Sequence, residues 1–191
     1  MNNKARMTVR AAVIALASLA FSGSAPGQQA VHNIGPVTVL GPGPDRVIAG
    51  VGAFNIGPTT GDTSRDRSTP PMAEFEYRFG WKPDFLGKAV GPAVGVLANA
   101  DGGVYGYLGV YADLPVGNVV VTPLVGAGGY HEGDGKDLGG SFQFRLALTG
   151  AYQFADGVRL GLRLAHLSNA GLQASNPGEN EILLVLDVPL W

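Results

Sequence analysis

The last segment of the chain, from Val158 to Trp191, alternates apolar and polar residues with the two-residue period of a β-strand. In its first half a ladder of leucines ends in His166 and Ser168, while Arg159 and Arg163 occupy the opposite face. Strands that separate lipid from a polar lumen alternate in this way, with the apolar side chains outside. The alternation therefore predicts a β-barrel wall on which the even-numbered positions of this segment contact hydrocarbon.

The same period recurs earlier in the chain. In residues 141–154 an apolar face opposes Arg145, and in residues 72–80 an aromatic face opposes Glu74 and Glu76. We predict eight strands, over residues 46–55, 72–80, 90–99, 103–112, 118–129, 141–154, 157–168 and 179–190. An even number of strands closes an antiparallel sheet without a free edge. The predicted fold is all-β, an eight-stranded antiparallel transmembrane β-barrel, in which the inward charges pair across a packed lumen.

The connections predict the orientation of this barrel. Residues 113–117 and 155–157 are short turns, which we place on the periplasmic side, although the connection 81–89 is longer than expected there. Residues 59–71, 131–140 and 169–178 are then outer loops. Three tyrosines fit a membrane interface at one end or the other: Tyr105, Tyr107 and Tyr111.

The first residues of the chain predict export. Three basic residues precede an apolar run over 11–21, which is followed by small residues through Ala25. This is the pattern of a secretory signal peptide, and the run is too short to span a bilayer as a helix. We predict a signal peptide over 1–25, cleaved between residues 20 and 30, and a barrel domain over 31–191 that opens with an irregular lead-in, Val31–Pro44.

Composition excludes several function classes. A net charge of -2 without a basic cluster argues against a nucleic-acid partner. The absence of cysteine excludes a disulfide scaffold and thiolate metal sites, and we predict neither a metal nor another cofactor. His131 and the acidic residues after it are interpreted as a solvated loop, and Gly126–Gly129 as close strand packing. Arg65, Arg67 and Lys136 are interpreted as exposed loop charges, with contact to lipid phosphates as the alternative.

Three polar residues interrupt the predicted lipid-facing surface at one end. His166 and Ser168 end their strand, and Asn180 begins the next strand on the same face. An unpaired polar group facing hydrocarbon costs roughly 1–3 kcal/mol on mutational scales, so their presence there indicates a function. The three residues therefore form a candidate site on the outer wall.

Their chemistry is that of an ester hydrolase, which needs a nucleophile, a base, a group that orients the base, and donors for the oxyanion. Ser168 and His166 lie two apart on one strand face, about 6–7 Å between Cα atoms, so hydroxyl and imidazole can meet. Ser168 is the predicted nucleophile and His166 the predicted base. Asn169 and the backbone amides of Ala170 and Gly171 follow where the strand turns, and are the predicted oxyanion donors.

The sequence His166–Leu172, followed by Asn176–Gly178 and a last apolar strand, resembles the lipid A 3-O-deacylase family of outer-membrane acyl hydrolases. The resemblance implies a barrel in the bacterial outer membrane whose outer wall removes the 3-hydroxy fatty acid esterified at position 3 of lipid A. The partner is then lipid A, or lipopolysaccharide, in the outer leaflet. It also implies that His166 is the base, Ser168 the nucleophile and Asn169 a member of the oxyanion hole.

The third catalytic position departs from the family pattern. In the best-known members a Glu two residues after the loop glycine orients the His, and here that position is Asn180. Strand alternation places Asn180 on the face of His166 and turns Glu179 and Glu181 into the lumen. We therefore predict Asn180 as the third member, with Glu181 as the alternative if a bulge at Gly178 turns it outward.

Two other functions and one assembly question stay open at the level of sequence. A non-catalytic envelope barrel with a structural or adhesive role would keep the same loop, and Asn180 is the feature that favours it. A soluble lipid-binding barrel is disfavoured by the outward aromatic and leucine rows. Whether the barrel forms a homodimer is not fixed by the sequence.

Overall fold

The structure, a computed structural model, describes residues 31–34, 37–57 and 68–190. The predicted signal peptide over 1–25, Arg65, Arg67 and Trp191 lie outside these residues. Within the described ranges, no helix has the length and apolar character needed to cross a membrane.

The described chain contains eleven strands. They are β1 (Val31–Ile34), β2 (Val37–Leu40), β3 (Asp45–Ala53), β4 (Pro71–Arg78), β5 (Gly91–Asn99), β6 (Val104–Tyr111), β7 (Leu114–Val116), β8 (Val119–His131), β9 (Phe142–Gln153), β10 (Arg159–Ser168) and β11 (Glu179–Leu190). A 3₁₀ turn, Asp84–Leu86, lies between β4 and β5.

Eight of the described strands close into an antiparallel barrel. Neighbours follow the order β6-β5-β4-β3-β11-β10-β9-β8, and pairing of β6 with β8 closes the ring. The predicted fold is confirmed, and the boundaries of these strands lie within two residues of the predicted ones. Hydrophobic alternation predicted the strands correctly because each strand of a barrel wall faces lipid on one side and the polar lumen on the other.

The lead-in differs from its prediction. Residues that we expected to be irregular form the β1–β2 hairpin, in which Val31 pairs with Leu40 and Ile34 with Val37. The backbone N–H of Leu40 donates to the carbonyl of Asp113 at 2.8 Å, which ties the hairpin to the barrel end. In the sequence, Gly35 and Pro36 separate two short segments rich in β-branched residues, which is a turn signal. We did not recognise it because more Gly and Pro residues follow directly, at 41–44.

The two faces of each strand meet different environments. Along β10, Leu162 is 57% exposed on the outer wall, whereas Arg163 is 0% exposed inside the lumen. Arg163 pairs with Glu74 at 2.7 Å and with Glu76 at 3.0 Å, and Arg145 pairs with Glu181 at 2.7 Å. The predicted pairing of inward charges is therefore confirmed. Such pairs are needed because an unpaired charge in a closed interior is strongly destabilising.

The three tyrosines of β6 correct another expectation. We placed Tyr105, Tyr107 and Tyr111 at a membrane interface, but all three are buried in the lumen. The Tyr107 hydroxyl donates to Glu74 at 2.8 Å. Tyrosine is suited to the lumen because buried carboxylates need hydrogen-bond donors, which aliphatic side chains lack. A Cβ at Gly95 would lie 2.5 Å from the Tyr107 ring, so glycine on the neighbouring strand makes room for it.

Candidate active site

The candidate site lies on the outer wall, where β10 ends and β11 begins. His166 and Asn180 are direct cross-strand partners, and both are half-buried. The Nδ1 atom of His166 lies 2.9 Å from the Oδ1 atom of Asn180. The regular antiparallel register, continued from Arg159 opposite Asp187, fixes this contact on the lipid-facing side.

Asn180 is held in a defined orientation by the segment that follows β3. Its backbone carbonyl accepts the N–H of Ile56 at 2.9 Å, and its Nδ2 atom donates to the carbonyl of Ile56 at 3.5 Å. With Nδ2 committed to Ile56, the amide presents its oxygen to the ring of His166. An oxygen can only accept, so Nδ1–H of His166 is the donor in this contact, and in a neutral imidazole the lone pair is then on Nε2. This is the tautomer that a general base requires.

Gly178 confines the other side of the imidazole. The residue has a φ of +63°, and a Cβ built on it would lie 3.0 Å from Cε1 and 3.4 Å from Nε2 of His166. Glycine here serves two needs at once, since the left-handed conformation favours it and any side chain would press on the ring. The imidazole is thereby fixed between the Asn180 amide and the backbone at Gly178.

Ser168 lies on the same face, two residues beyond His166 at the end of β10. Among the described residues its hydroxyl has no hydrogen-bond partner, and no bond joins it to His166. The structure thus brings His166 and Asn180 together and leaves the Ser168 hydroxyl adjacent but unbonded. Catalytic hydrogen bonds often form only with substrate bound, and a rotation about χ1 of Ser168 changes the direction of its hydroxyl.

Asn169 has a different role from the predicted one. Its side chain is buried, and both amide hydrogens are used, because Nδ2 donates to the carbonyls of Leu138 at 3.0 Å and Ser175 at 2.7 Å. Its Oδ1 accepts the backbone N–H of Gly171 at 3.0 Å. Of the three predicted oxyanion donors, two are therefore already engaged: the Asn169 side chain and the Gly171 amide. Instead, Asn169 braces the loop that follows β10.

The backbone amide of Ala170 remains as a donor. Ala170 is exposed, adopts a φ of +54°, and has no hydrogen-bond partner for its N–H among the described residues. Sequence analysis included this amide among the donors, next to Asn169 and Gly171. The bond from Gly171 to Asn169 holds the turn that exposes it.

The loop between β8 and β9 supports Asn169 from the barrel mouth. Lys136, interpreted above as an exposed charge, is buried and donates to Oδ1 of Asn55 at 3.0 Å. Leu138 is also buried, and its carbonyl is the acceptor for Asn169. The sequence signal was an isolated leucine in a polar loop, which we did not interpret. His131 in contrast is exposed, and the described residues contain no group of His, Asp and Glu that could hold a metal ion.

An apolar groove of about 440 Å³ begins at His166 and Asn180. It crosses β9 and reaches β8, and its remaining walls are apolar: Pro123, Leu124, Val125, Leu146, Ala147, Leu148, Leu164 and Ala165. The outward residue row Val125, Leu146 and His166 lies along one rim. Sequence analysis missed the groove because its walls come from three strands that only the register aligns.

Glu181 is excluded from the site by the register. Leu167 pairs with Glu179 and Ala165 with Glu181, so no bulge interrupts β11 next to Gly178. Glu181 lies in the lumen with Arg145, and Glu179 accepts the N–H of Asn55 at 3.1 Å. The alternative third member therefore lies on the wrong side of the wall, and Asn180 is the residue that contacts His166.

The family model for lipid A 3-O-deacylase (PagL) matches residues 81–189, which is more than half of the chain and includes the whole candidate site. The chain belongs to the lipid A 3-O-deacylase family. The family and the closed barrel together identify it as a protein of the bacterial outer membrane. The resemblance inferred from His166–Leu172 is thus confirmed at the level of the family.

Solved structures agree on the fold of this deacylase-family chain. The crystal structure of the outer membrane enzyme PagL matches with 18% identity and a TM-score of 0.55, over 76% of this chain and 99% of that one. A de novo designed transmembrane β-barrel matches with 12% identity and a TM-score of 0.52, over 80% of this chain and 99% of the design. At such identities the likeness concerns the fold alone. A comparison with curated protein sequences finds no match.

Proposed function

We propose that this chain is an outer-membrane serine esterase that removes the 3-O-linked 3-hydroxyacyl chain from lipid A. The observation that carries the proposal is the contact between His166 Nδ1 and Asn180 Oδ1 on the lipid-facing wall, within the residues that match the family. The barrel is closed by the pairing of β6 with β8, and its ion pairs lie on the inner face. A positioned imidazole beside a serine hydroxyl on the outer face is therefore not needed to hold the fold together. The side of the membrane is part of the proposal, with the site in the outer leaflet.

In this mechanism Ser168 attacks the ester carbonyl carbon while Nε2 of His166 takes the hydroxyl proton. The N–H of Ala170 donates to the carbonyl oxygen as it becomes an oxyanion. When the C–O bond breaks, His166 returns the proton to the 3-oxygen of lipid A, which leaves as an alcohol. A water, activated by His166 in turn, releases the hydroxy fatty acid and restores Ser168.

The groove supports a long acyl substrate. Its apolar walls run from His166 across β9 to β8, on the same surface that faces lipid. A lipid held in the leaflet already has restricted orientation, so the wall needs only to present the hydroxyl at the depth of the ester. We place the acyl chain to be released in this groove.

The decisive experiment is mass spectrometry of lipid A from cells that express the chain. We expect wild type to remove one hydroxyacyl chain and Ser168→Ala to leave lipid A intact. Ser175→Ala is the matched control, since Ser175 is an exposed serine in the same loop whose hydroxyl has no role in the proposal. Identical lipid A from wild type and Ser168→Ala would reject the proposal.

That result would favour a structural or adhesive barrel, the second candidate function. Two observations support it: the amide of Asn180 at the position where the resemblance leads us to expect a glutamate, and the unbonded Ser168 hydroxyl. A structural or adhesive barrel predicts that Ser168→Ala reaches the outer membrane in the normal amount. It also predicts that neither wild type nor Ser168→Ala changes the lipid A of the cells that express it.

A further inference from the structure

The connection between β4 and β5 carries large apolar side chains into the surroundings of the barrel. Trp81 is 63% exposed, Phe85 is 84% exposed and Leu86 is 39% exposed. We call these three residues the apolar turn. They lie at the end of the barrel opposite to His166, beside the last residues of β11. This is the connection that was longer than a short periplasmic turn requires.

The apolar turn is an ordered element. Backbone bonds close it locally, from Leu86 to the carbonyl of Pro83 at 3.1 Å and from Gly87 to the carbonyl of Asp84 at 2.8 Å. Gly87 ends the 3₁₀ turn in the left-handed conformation, with a φ of 65°. Two further bonds close the same connection, from Lys88 to the carbonyl of Pro83 at 3.2 Å and from Ala89 to the carbonyl of Leu86 at 3.3 Å. These bonds give the turn a defined backbone and satisfy part of the polar groups that an apolar medium would leave unpaired.

Buried residues fix the turn to the barrel. Lys82, which follows Trp81, and Ala89, which follows the turn, are both buried. Nζ of Lys82 donates to the carbonyl of Leu40 in the β1–β2 hairpin. Burial lowers the pKa of Lys82. The polar anchor therefore points into the barrel end, while Phe85 and Leu86 point away from it. Exposure of the apolar side chains is a consequence of this fixed geometry.

The apolar turn continues the lipid-facing surface. Tyr77 and Phe79 face outward at the end of β4 with ring centroids 4.9 Å apart, and Trp81 follows at the same parity. Tyr152 and Phe154 form a second ring pair at this end, with centroids 5.1 Å apart. Aromatic residues concentrate where the hydrocarbon meets the headgroups of a bilayer.

Charges on the turn suit a headgroup region. Lys88 and Asp84 form an exposed ion pair at 3.3 Å, adjacent to Phe85. Ordered apolar side chains flanked by charges resemble the face of an interfacial membrane segment. We propose that the apolar turn lies in the boundary between headgroups and acyl chains of the leaflet opposite to His166, and that its partner is phospholipid. The proposal does not depend on catalysis.

The chain contains two tryptophans, so Trp191→Phe leaves Trp81 as a single fluorescent reporter. The full chain is reconstituted in phosphatidylcholine vesicles whose acyl chains carry bromine either close to the headgroup or close to the terminal methyl group. We expect bromine close to the headgroup to quench Trp81 fluorescence more than bromine close to the terminal methyl group. Aqueous iodide should quench Trp81 fluorescence poorly.

A pair of variants tests whether Phe85 and Leu86 hold Trp81 in this position. In Phe85→Ser/Leu86→Ser, quenching by lipid bromine should fall and quenching by iodide should rise. Val116→Ser is the matched control, because Val116 is 66% exposed at the same end but outside the apolar turn. It should behave as the parent, and gel mobility of unheated samples confirms that each barrel is folded.

Two results would overturn the proposal. Strong iodide quenching without bromine quenching would place the turn in water. Emission that is protected from both quenchers would place it against protein, such as a second copy of this chain. Equal losses in the double variant and in Val116→Ser would also reject a specific role for Phe85 and Leu86.

Discussion

The two faces of β10 use polar residues in opposite ways. Inside the barrel, Arg163 contacts Glu74, Glu76 and Thr149, so its guanidinium is bound on several sides. On the outer wall, Nδ1 of His166 has the Asn180 amide as its side-chain partner, and Nε2, the nitrogen that the proposed reaction uses, has no side-chain partner among the described residues. The stabilising guanidinium of Arg163 thus has partners for most of its donors, whereas the imidazole proposed to react keeps one nitrogen without a partner.

The largest expected effect is loss of activity without loss of fold. His166→Ala removes the proposed base, and we expect deacylation of purified lipid A to fall by about 10⁴-fold or more, the size of loss found when a member of a known catalytic triad is removed. The unfolding temperature should stay that of wild type, because His166 makes no contact with the lumen network. If His166→Ala destabilised the protein as much as the loss of an interior charge does, the outer face would also be structural and this comparison would be wrong.

The converse experiment removes an interior charge. Arg163→Met leaves Glu74 and Glu76 buried without this partner, which should lower the free energy of unfolding by about 3–5 kcal/mol. Leu162→Met, the adjacent residue on the lipid side, should change it by less than about 1.5 kcal/mol. Denaturant titration of refolding into vesicles measures both. Equal stabilities would contradict the assignment of Arg163 to a structural network.

A smaller effect is expected where the loop touches the imidazole. Gly178→Ala places a methyl group against Cε1 and Nε2 of His166, and a displacement of this kind can lower turnover by about 10²-fold. Gly117→Ala is the control: Gly117 also has a positive φ, of +61°, but a Cβ there meets nothing within 4 Å. Turnover that falls equally in both variants would attribute the effect to backbone strain alone.

The smallest effect concerns the orienting residue. In the proposed mechanism an amide fixes the tautomer of His166 but, unlike a carboxylate, cannot stabilise the imidazolium that forms. We expect Asn180→Asp to raise kcat by about tenfold, or about 1.4 kcal/mol of barrier. Asn180→Ala should lower turnover more than Glu181→Ala, which acts on stability through Arg145. Steady-state kinetics on lipid A micelles gives both comparisons, and the reverse ranking would reject Asn180 as the orienting group.

Strand alternation explains how much of this could be predicted. The sequence sufficed for the outward position of His166, the inward position of Glu181 and the contact between His166 and Asn180, since neighbouring antiparallel strands joined by one loop fix the register. It did not suffice for the buried Lys136 or for Asn169. Both depend on loop contacts with Asn55 and Leu138, distant in sequence, and loops carry no period from which such contacts follow. The Tyr107 side chain was misplaced because glycines blur the parity of β6.

The interior ion pairs impose a condition on assembly. Arg46 pairs with Asp187 and Glu74 with Arg163, so residues near both ends of the barrel domain complete one another only when the sheet is closed. A strand inserted alone would expose its arginines to hydrocarbon, at a cost of about 3 kcal/mol each on insertion scales. Entry into the bilayer and joining of the first and last strands must therefore occur together, which makes stepwise insertion of single hairpins an unfavourable route for this chain.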